Sequence, residues 1–305
     1  MLITFKRAIK AAKKDWILLL MVLPVVLYFF IFRYLPMYGL VIAFQQYSPG
    51  KGLFGSPFVG LQWFEQFFTS IYFTRVLLNT LSISFFNIVF GFPFPILFAL
   101  MLNEVRSRRI KKTIQTVSYL PHFISTVVVV AMMKTLLSTQ GGAVSEIFLI
   151  LGVEKVNFFL EPEWFRPLYI VSEIWQSYGW DSIIYLAALS SIDINLYEAA
   201  YIDGSGKWKN IWYITLPSIL PTIVILLILK VGQIMTVGFE KIILMYNPSI
   251  YSVADVISTY TYRRGILDGN YSFGSAVGLF NAVINLILLL SINKISKRVS
   301  EVSLW

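Results

Sequence analysis

Several polar and charged side chains lie inside long apolar stretches of this 305-residue chain, where unpaired polar groups are costly. In one stretch, residues 167–190, carboxylate and amide groups lie beside aromatic residues. This combination suits sugars, whose hydroxyl groups form hydrogen bonds and whose C–H faces pack on flat rings. The candidates for lining a path through the protein are Asn79, Asn87, Glu173, Gln176, Trp180, Asp181, Lys230 and Gln233.

Their spacing predicts which of these side chains share a helix face. Glu173, Gln176 and Trp180 follow one another at helical spacing, and Lys230 and Gln233 are three residues apart. The alternative is that such residues only tie helices together or lie at the membrane interface. For Lys230 that alternative is an ion pair with a carboxylate of a partner subunit.

The sequence lacks the residues needed for common catalytic chemistry. His122 is the only histidine and the chain has no cysteine, which excludes a metal cluster or a histidine-based nucleophile relay. The Gly-Ser-Gly-Lys stretch at 204–207 is not a phosphate-binding loop, because Tyr201 and Trp208 occupy positions that the motif reserves for Gly and Ser or Thr. We therefore expect no enzyme activity and no cofactor bound by this chain.

The composition identifies the solvent of this protein as largely lipid. Hydrophobic residues make up 57% and charged residues 13%, against about 25% charged residues in soluble domains. This excludes a soluble enzyme, a disordered chain and a disulfide-stabilised module. The net charge of +9 does not indicate nucleic acid as a partner, since the basic residues lie mostly between apolar runs.

Six apolar runs are long enough to cross a bilayer, which requires about 20 residues each. The first follows a basic arm and is too long for a signal peptide, with no small-residue cleavage site after it. The fourth is the weakest, because it carries Glu173 and Asp181. The predicted spans are residues 16–35, 76–102, 114–138, 167–190, 217–239 and 273–292.

The distribution of Lys and Arg predicts the orientation of the spans. With a cytoplasmic N-terminus, 15 basic residues fall in cytoplasmic segments and 8 in outside segments. This bias places both termini in the cytoplasm. The predicted organisation is a cytoplasmic arm at 1–15, a single transmembrane domain at 16–293 and a cytoplasmic tail at 294–305.

The cytoplasmic loop at 191–217 has a pattern of its own. Asn195 is a plausible helix cap for the segment that ends at Asp203-Gly204. A second helical piece follows, and the next span is expected to begin with Pro217 in its first turn. The sequence predicts a short helix across the cytoplasmic face, a turn and a return into the membrane.

The spacing of this loop resembles that of a known family. Glu198-Ala199-Ala200, then Gly204, then Ile214-x-Leu216-Pro217 match the EAA-x3-G-x9-I-x-LP loop of membrane subunits of binding-protein-dependent ABC importers. Flanking stretches such as GLQWFEQFF, YLPHFIS and IDGSGKWKNIWYITLPSILPT are similar to its carbohydrate branch, the maltose-type permeases, and to the complex-polysaccharide subset with alginate-type and aldouronate-type importers. Asp193 and Ser205 depart from the usual Pro and Ala of the family.

The resemblance implies an all-α membrane protein with six transmembrane helices, the type I ABC importer permease fold, and a cytoplasmic coupling helix between spans four and five. It implies a second homologous permease subunit, a cytoplasmic ATPase dimer that holds ATP and Mg, and an extracytoplasmic solute-binding protein. The substrate would be an oligosaccharide. The residues that would couple to the ATPase are Glu198, Ala199, Ala200, Asp203, Gly204, Ile214, Leu216 and Pro217.

Two alternatives to an oligosaccharide importer remain open at this point. One is an importer permease of the same fold for a non-sugar solute, and the other is a self-contained, ion-coupled carrier. The carrier is disfavoured because no internal inverted repeat is visible and a carrier would not need a coupling loop.

Overall fold

The computed structural model describes residues 14–152, 154, 156–299 and 303–304; most of the predicted basic arm and part of the predicted tail lie outside these residues. The described residues are helical apart from turns, loops and an isolated antiparallel bridge between Gln45 and Phe58. The helices are α1 Trp16–Phe44, α2 Gly52–Gly55, α3 Gln62–Phe68, α4 Phe73–Asn103, α5 Arg108–Phe123, α6 Thr126–Leu136, α7 Ala143–Ile150, α8 Pro162–Ser190, α9 Ile194–Ile202, α10 Lys207–Val231, α11 Phe239–Met245, the single turn Pro248–Ile250, α12 Tyr251–Ala254, α13 Ile257–Thr261 with its continuation Tyr262–Leu267, and α14 Tyr271–Val299.

Four of these helices, α1, α4, α10 and α14, are each long and apolar enough to cross a membrane. Two bent pairs, α5 with α6 and α8 with α9, pass the same test together, which gives up to six spans within the described residues. The predicted all-helical architecture is therefore confirmed. Helix α8 is not apolar enough to pass by itself, because it carries polar residues, in line with the sequence.

The third span differs from its prediction. We expected one helix over 114–138, but the chain turns by 95° between α5 and α6. Pro121 lies in the last turn of α5, and the backbone of Ile124 is extended, so the helix cannot continue. Ser125 then caps the new helix by accepting a hydrogen bond from the N–H of Val128.

The fifth span also differs in its bounds. The helix begins at Lys207 rather than at Pro217 and ends at Val231 rather than at residue 239. A wider turn at Ile211–Thr215 connects its first turn to the segment that begins with Leu216. The predicted loop at 191–217 therefore consists of α9, a turn at 203–206 and the first turns of α10.

The second span accommodates its prolines without a sharp bend. Gly91 and the two prolines after it predict a kink, yet α4 is one helix of 31 residues. The helix widens by one turn over Asn87–Gly91, shortly before Pro93. This wider turn accommodates the N–H group that Pro93 lacks. Asn87 therefore lies at an irregular turn in the middle of the span.

Helix α8 is the central support of the bundle, since α4, α5, α10 and α12 all pack against it. Buried aromatic residues of α8, Phe165 and Tyr169, pack with Ile83 of α4 and with Ile242 and Met245 of α11. A glycine sets its distance to α5: a Cβ on Gly179 would lie 2.1 Å from the carbonyl oxygen of Ser118. Any side chain at this position would force the two helices apart.

Helix α1 is the least integrated part of the structure. None of the residues in Trp16–Phe29 is buried, and α14 is packed against the far end of α1, Leu35–Phe44. The first half of α1 is apolar on all sides, as a helix surrounded by lipid or by another membrane subunit is.

Gly179→Ala should destabilise the protein, because the added methyl group meets backbone rather than a flexible side chain. Such overpacking costs about 1–3 kcal/mol. We expect the apparent melting temperature in detergent, measured by size-exclusion chromatography after heating, to fall by several degrees.

The matched control is Gly278→Ala in α14, where a Cβ would meet nothing within 4 Å. Both changes replace a helical glycine, so both gain the same helix propensity of about 1 kcal/mol. Equal melting temperatures for the two variants would contradict the close approach of α5 and α8.

Candidate functional site

The first part of the candidate site is α9, which projects from the bundle. Asp193, and not Asn195, caps this helix, since its carboxylate accepts a hydrogen bond from the N–H of Asn195 at 3.0 Å. No residue of α9 is buried. Glu198 and Ala199 are exposed and Ala200 is half-buried, so the acidic and small residues of the motif face outward.

Large apolar side chains surround these motif residues. Tyr201 and Ile202 are 80% and 85% exposed at the end of α9, and Ile194 is 67% exposed at its start. Apolar side chains exposed together on one short helix are typical of a surface that another protein covers. This helix has the shape and chemistry of a docking element.

A glycine turn connects α9 to α10. Gly204 has a φ of +73°, in the left-handed region where residues with a Cβ are strained. The N–H of Ser205 donates to the carbonyl of Ala200 at 2.9 Å, which satisfies the end of the helix. Asp203 is exposed at the start of this turn.

One contact fixes α9 to a membrane helix, and a second fixes the start of α10. The hydroxyl groups of Tyr197 and Thr215 lie 2.9 Å apart, so Tyr197 points toward the bundle rather than toward a partner. Lys207 forms an ion pair of 3.6 Å with Glu104 at the end of α4. The position of α9 is therefore tied to α10 by Tyr197, and the start of α10 is tied to α4 by Lys207.

The remaining motif residues anchor α10. Ile214 and Leu216 are half-buried, and Pro217 is exposed in the first turn that follows the widened segment. Leu216 packs against a buried cluster that includes Tyr185 and Leu189 of α8. The Ile-x-Leu-Pro part of the motif thus joins the docking helix to the core of the bundle.

The second part of the candidate site is a pair of cavities between α4, α8, α10 and the segment that follows α10, each lined in part by polar side chains. The first, of about 140 Å³, is lined by Asn87, Asp181, Tyr185 and Lys230 among others. The second, of about 230 Å³, is also lined by Asn87 and Lys230, and Glu173 and Gln233 belong to it. The structure brings together five of the eight predicted path residues around these two cavities.

The two carboxylates at these cavities have different surroundings. Glu173 is paired with Lys241 at 2.7 Å, and the Lys241 side chain is only 4% exposed. Asp181 is accessible, and none of the ion pairs among the described residues includes it. The charge of Glu173 is thus compensated within the fold, whereas Asp181 faces the cavity.

Lys230 is exposed in this chain and lines both cavities. Among the described residues, no carboxylate lies within the 4.0 Å of an ion pair with its ammonium group. A cation held by a membrane helix without such a partner can bind an anionic or hydroxylated solute.

The other three predicted path residues lie elsewhere and support the fold. The amide of Asn79 donates to the carbonyls of Ser252 and Asp255 at 3.0 Å each. The amide of Gln176 donates at 2.9 Å to the carbonyl of Ile124, where the third span breaks. Trp180 stacks on His122 with 4.7 Å between ring centroids.

A buried ionic cluster was not predicted from the sequence. The carboxylate of Asp255 is fully buried and accepts hydrogen bonds from Arg75 at 3.2 Å and from Arg263 at 2.6 and 2.9 Å. Arg166 extends the cluster by donating to Asn79 at 3.0 Å. No sequence signal could have revealed it, because 180 residues separate Arg75 from Asp255.

Arg263 is held in its charged form within this cluster. Partial burial acts to lower the pKa of Arg263, but its hydrogen bonds and charge interactions with Asp255 and Tyr246 together outweigh that effect and raise the pKa above its ordinary value. The cluster joins α4 to the segment between α12 and α13 and to the continuation of α13. Its ion pairs act as a structural tie, whereas the Nε groups of Arg75 and Arg166 are buried without a hydrogen-bond partner.

Nothing in the described residues indicates a metal site. No group of three or more His, Asp or Glu side chains is placed there to hold a metal ion. The chemistry that this arrangement offers is binding and movement rather than bond cleavage.

Known proteins share this sequence over nearly its whole length. The polygalacturonan/rhamnogalacturonan transport system permease protein YteP of Bacillus subtilis (strain 168) is 46% identical over 288 residues, covering 94% of this chain and 90% of that protein. Protein LplB of the same organism is 42% identical, covering 97% of this chain and 93% of its own. The first of these relatives is a transport permease rather than an enzyme.

Solved structures share the fold as well. One is described as the crystal structure of a bacterial ABC transporter involved in the import of the acidic polysaccharide alginate. A chain in it matches with a TM-score of 0.89 and 47% identity, covering 96% of this chain and 99% of that chain. A second structure, with alginate pentasaccharide-bound periplasmic protein, matches with a TM-score of 0.89 and 46% identity, covering 97% and 99% of the two chains.

The predicted permease fold is confirmed by these matches. Residues 91–301 match the family described as binding-protein-dependent transport system inner membrane component. This range includes α9 and the residues of α8 and α10 that line the two cavities. The family match spans more than half of the chain, and the relatives exceed 40% identity. The chain therefore belongs to the family of inner membrane components of binding-protein-dependent transport systems.

Proposed function

We propose that this chain forms half of the translocation path of an ATP-driven importer for an oligosaccharide or a polysaccharide fragment. The names of its relatives support this substrate class, because one concerns polygalacturonan/rhamnogalacturonan and the solved transporter imports the acidic polysaccharide alginate. The polar groups around the two cavities, with Lys230 between them, suit a hydroxylated and negatively charged solute.

The other half of the path comes from a second homologous permease subunit. Support for a further membrane partner comes from the exposed, apolar first half of α1 and from cavities that this chain alone leaves open. An extracytoplasmic solute-binding protein delivers the substrate; a solved relative in complex with a periplasmic protein supports that role.

A cytoplasmic ATPase dimer supplies the energy, and ATP and Mg bind to that dimer rather than to this chain. The exposed helix α9 carries this proposal, since its motif residues face outward while Tyr197 holds it to α10. Residues Glu198 to Gly204 contact the ATPase, and Ile214, Leu216 and Pro217 pass its movement to the bundle. Closure of the ATPase moves α9 and switches the path between outward-facing and inward-facing states.

This arrangement requires α9 on the cytoplasmic side of a bacterial cell membrane. The excess of Lys and Arg in the segments on that side supports the orientation, with both termini in the cytoplasm. Exposed aromatic residues next to the docking helix, Trp208, Trp212 and Tyr213, are of the type found at membrane–water interfaces.

Glu198→Ala should uncouple the importer. Loss of a charge pair at a partly buried interface costs about 2–5 kcal/mol, which corresponds to at least about thirtyfold weaker association with the ATPase. Gly204→Val should act similarly, because a β-branched residue is strained at a φ of +73°. The measurement is ATP-driven uptake by proteoliposomes that contain the whole complex.

Asn195→Ala is the matched control, since Asn195 is also exposed on α9 but lies outside the motif. Its uptake should equal that of the wild type. Unchanged uptake by both motif variants, or uptake by this chain alone under an ion gradient, would overturn the proposal in favour of a self-contained carrier.

Lys230→Ala should weaken the transport of an anionic oligosaccharide more than that of a neutral one. The ammonium group lines both cavities without an ion-pair partner among the described residues, so a carboxylate of the substrate can take that place. Hydrogen bonds to charged groups contribute about 1.5–3 kcal/mol. We therefore expect roughly a tenfold or larger loss in kcat/KM for the anionic substrate.

Gln233→Ala provides the comparison, because Gln233 lines the second cavity and carries no charge. It should affect both substrates alike. Equal losses for anionic and neutral substrates in Lys230→Ala would exclude charge recognition at this residue.

A further inference from the structure

Five basic residues lie within seven positions between α4 and the first turns of α5. They form the 106–112 cluster, which consists of Arg106, Arg108, Arg109, Lys111 and Lys112. Four are exposed and Lys111 is half-buried. Among the described residues none of the five forms an ion pair, and the nearby Glu104 is already paired with Lys207.

The placement of these charges on the helix is electrostatically unfavourable. Ser107 caps α5, and four of the five cations lie within its first five residues. The N-terminus of a helix carries a partial positive charge that favours anions and disfavours cations. The first turn contains no acidic residue, so an anion from outside the chain would relieve this repulsion.

An apolar edge of the same helix lies beside the cluster. Ile110 and Val117, seven residues apart and therefore on one side of α5, are 56% and 62% exposed. Leu120 and Phe123 continue this edge at 57% and 70% exposure. Another side of α5 packs on α8, where Ser118 meets Gly179. The helix thus has a packed side, an exposed apolar edge and a basic N-terminal end.

We propose that the 106–112 cluster binds the headgroup of an anionic phospholipid, whose acyl chains lie along Ile110, Val117 and Leu120. The positive charge of the cluster favours a negatively charged ligand. The adjoining apolar edge favours a lipid with acyl chains over free phosphate. In the membrane this lipid belongs to the cytoplasmic leaflet, a placement that rests on the orientation proposed above. The bound lipid anchors α5, and through Gly179 it steadies α8.

The test measures lipid retention by the full chain purified in detergent, using native mass spectrometry. Phosphatidylglycerol and phosphatidylcholine with identical acyl chains are added at equal concentration. Wild-type protein should retain phosphatidylglycerol in preference. The variant R108Q/R109Q/K111Q/K112Q should retain it at least tenfold less, since each Lys or Arg near an anionic headgroup contributes about fivefold, and its weak retention of phosphatidylcholine should not change.

The matched control is K294Q/K297Q/R298Q, which removes exposed cations from the other end of a membrane helix, the C-terminus of α14. It should retain phosphatidylglycerol like the wild type. A double variant, I110S/V117S, should weaken the retention of phosphatidylglycerol while leaving the binding of inorganic phosphate unchanged. This arm separates a lipid from a free anion.

A photoactivatable phosphatidylglycerol cross-linked to the wild-type protein keeps the test valid if the charge variant does not fold. Peptide mapping should place its cross-links within 106–123. Cross-links elsewhere, equal losses in the α14 control, or unchanged retention in the charge variant would each overturn the proposal. One further outcome would also overturn it: the charge variant loses a co-purifying protein subunit but retains lipid like the wild type. The cluster would then bind a protein partner.

The result is independent of the importer proposal. The assay contains no ATP, no solute and no requirement for sidedness, because both ends of every helix are accessible in detergent. Failure of ATP-driven uptake would leave the lipid assignment standing, and failure of lipid retention would leave the uptake assignment standing.

Discussion

The structure depends on the requirement that polar groups inside a bilayer find partners within the protein. Helix α8 meets this requirement for much of the bundle. Gln176 satisfies the free carbonyl of Ile124 where the third span breaks, and Glu173 pairs with the buried Lys241. Gly179 allows α5 to come close to α8, beside the bond from Gln176 to Ile124. Glu173, one of the two residues that made α8 the weakest predicted span, is thus one that holds a neighbouring segment.

The same requirement separates structural charges from functional ones. Asp255 is fully buried and shared by two arginines, and Glu173 has Lys241. Removal of Asp255 would leave two partly buried arginines without their ion pair, and removal of Glu173 would leave Lys241 as an unpaired buried cation. Lys230 and Asp181 have no such partner among the described residues and line the same cavity. These two opposite charges interact across the cavity without forming a direct ion pair, so both remain accessible to a solute, and we therefore propose them ahead of the better-connected residues as path residues.

The sequence predicted what depends on local pattern and spacing. The spans were predicted from apolar runs, and α9 was predicted from the spacing of the motif between Glu198 and Pro217. Both patterns involve residues that are close together in the sequence. Contacts between distant segments were not predictable: nothing in the sequence places Arg75 beside Asp255 or Gln176 beside Ile124. For the same reason the sequence could not distinguish Asn79, Gln176 and Trp180, which have partners within the protein, from Asp181 and Lys230, which line a cavity. A polar side chain inside a span indicates that it has some polar partner. Only the folded structure shows whether that partner is another group of the protein or a solute in a cavity.

A continuous connection between α9 and the cavities explains how movement of α9 could change the shape of the cavities. Tyr197 of α9 is bonded to Thr215 of α10, and the helix continues from Thr215 to Lys230, a distance of about 22 Å at 1.5 Å per residue. Leu216 packs against the cluster that contains Tyr185, and Tyr185 lines the first cavity with Asp181. A displacement of α9 by a partner therefore moves both ends of α10 together. Because α10 carries Lys230 while α8 carries Asp181, any sliding of one helix past the other changes the distance between these two opposite charges and the strength of their interaction. The proposed coupling thus acts on charged groups that line the cavity and that the fold does not hold in an ion pair among the described residues.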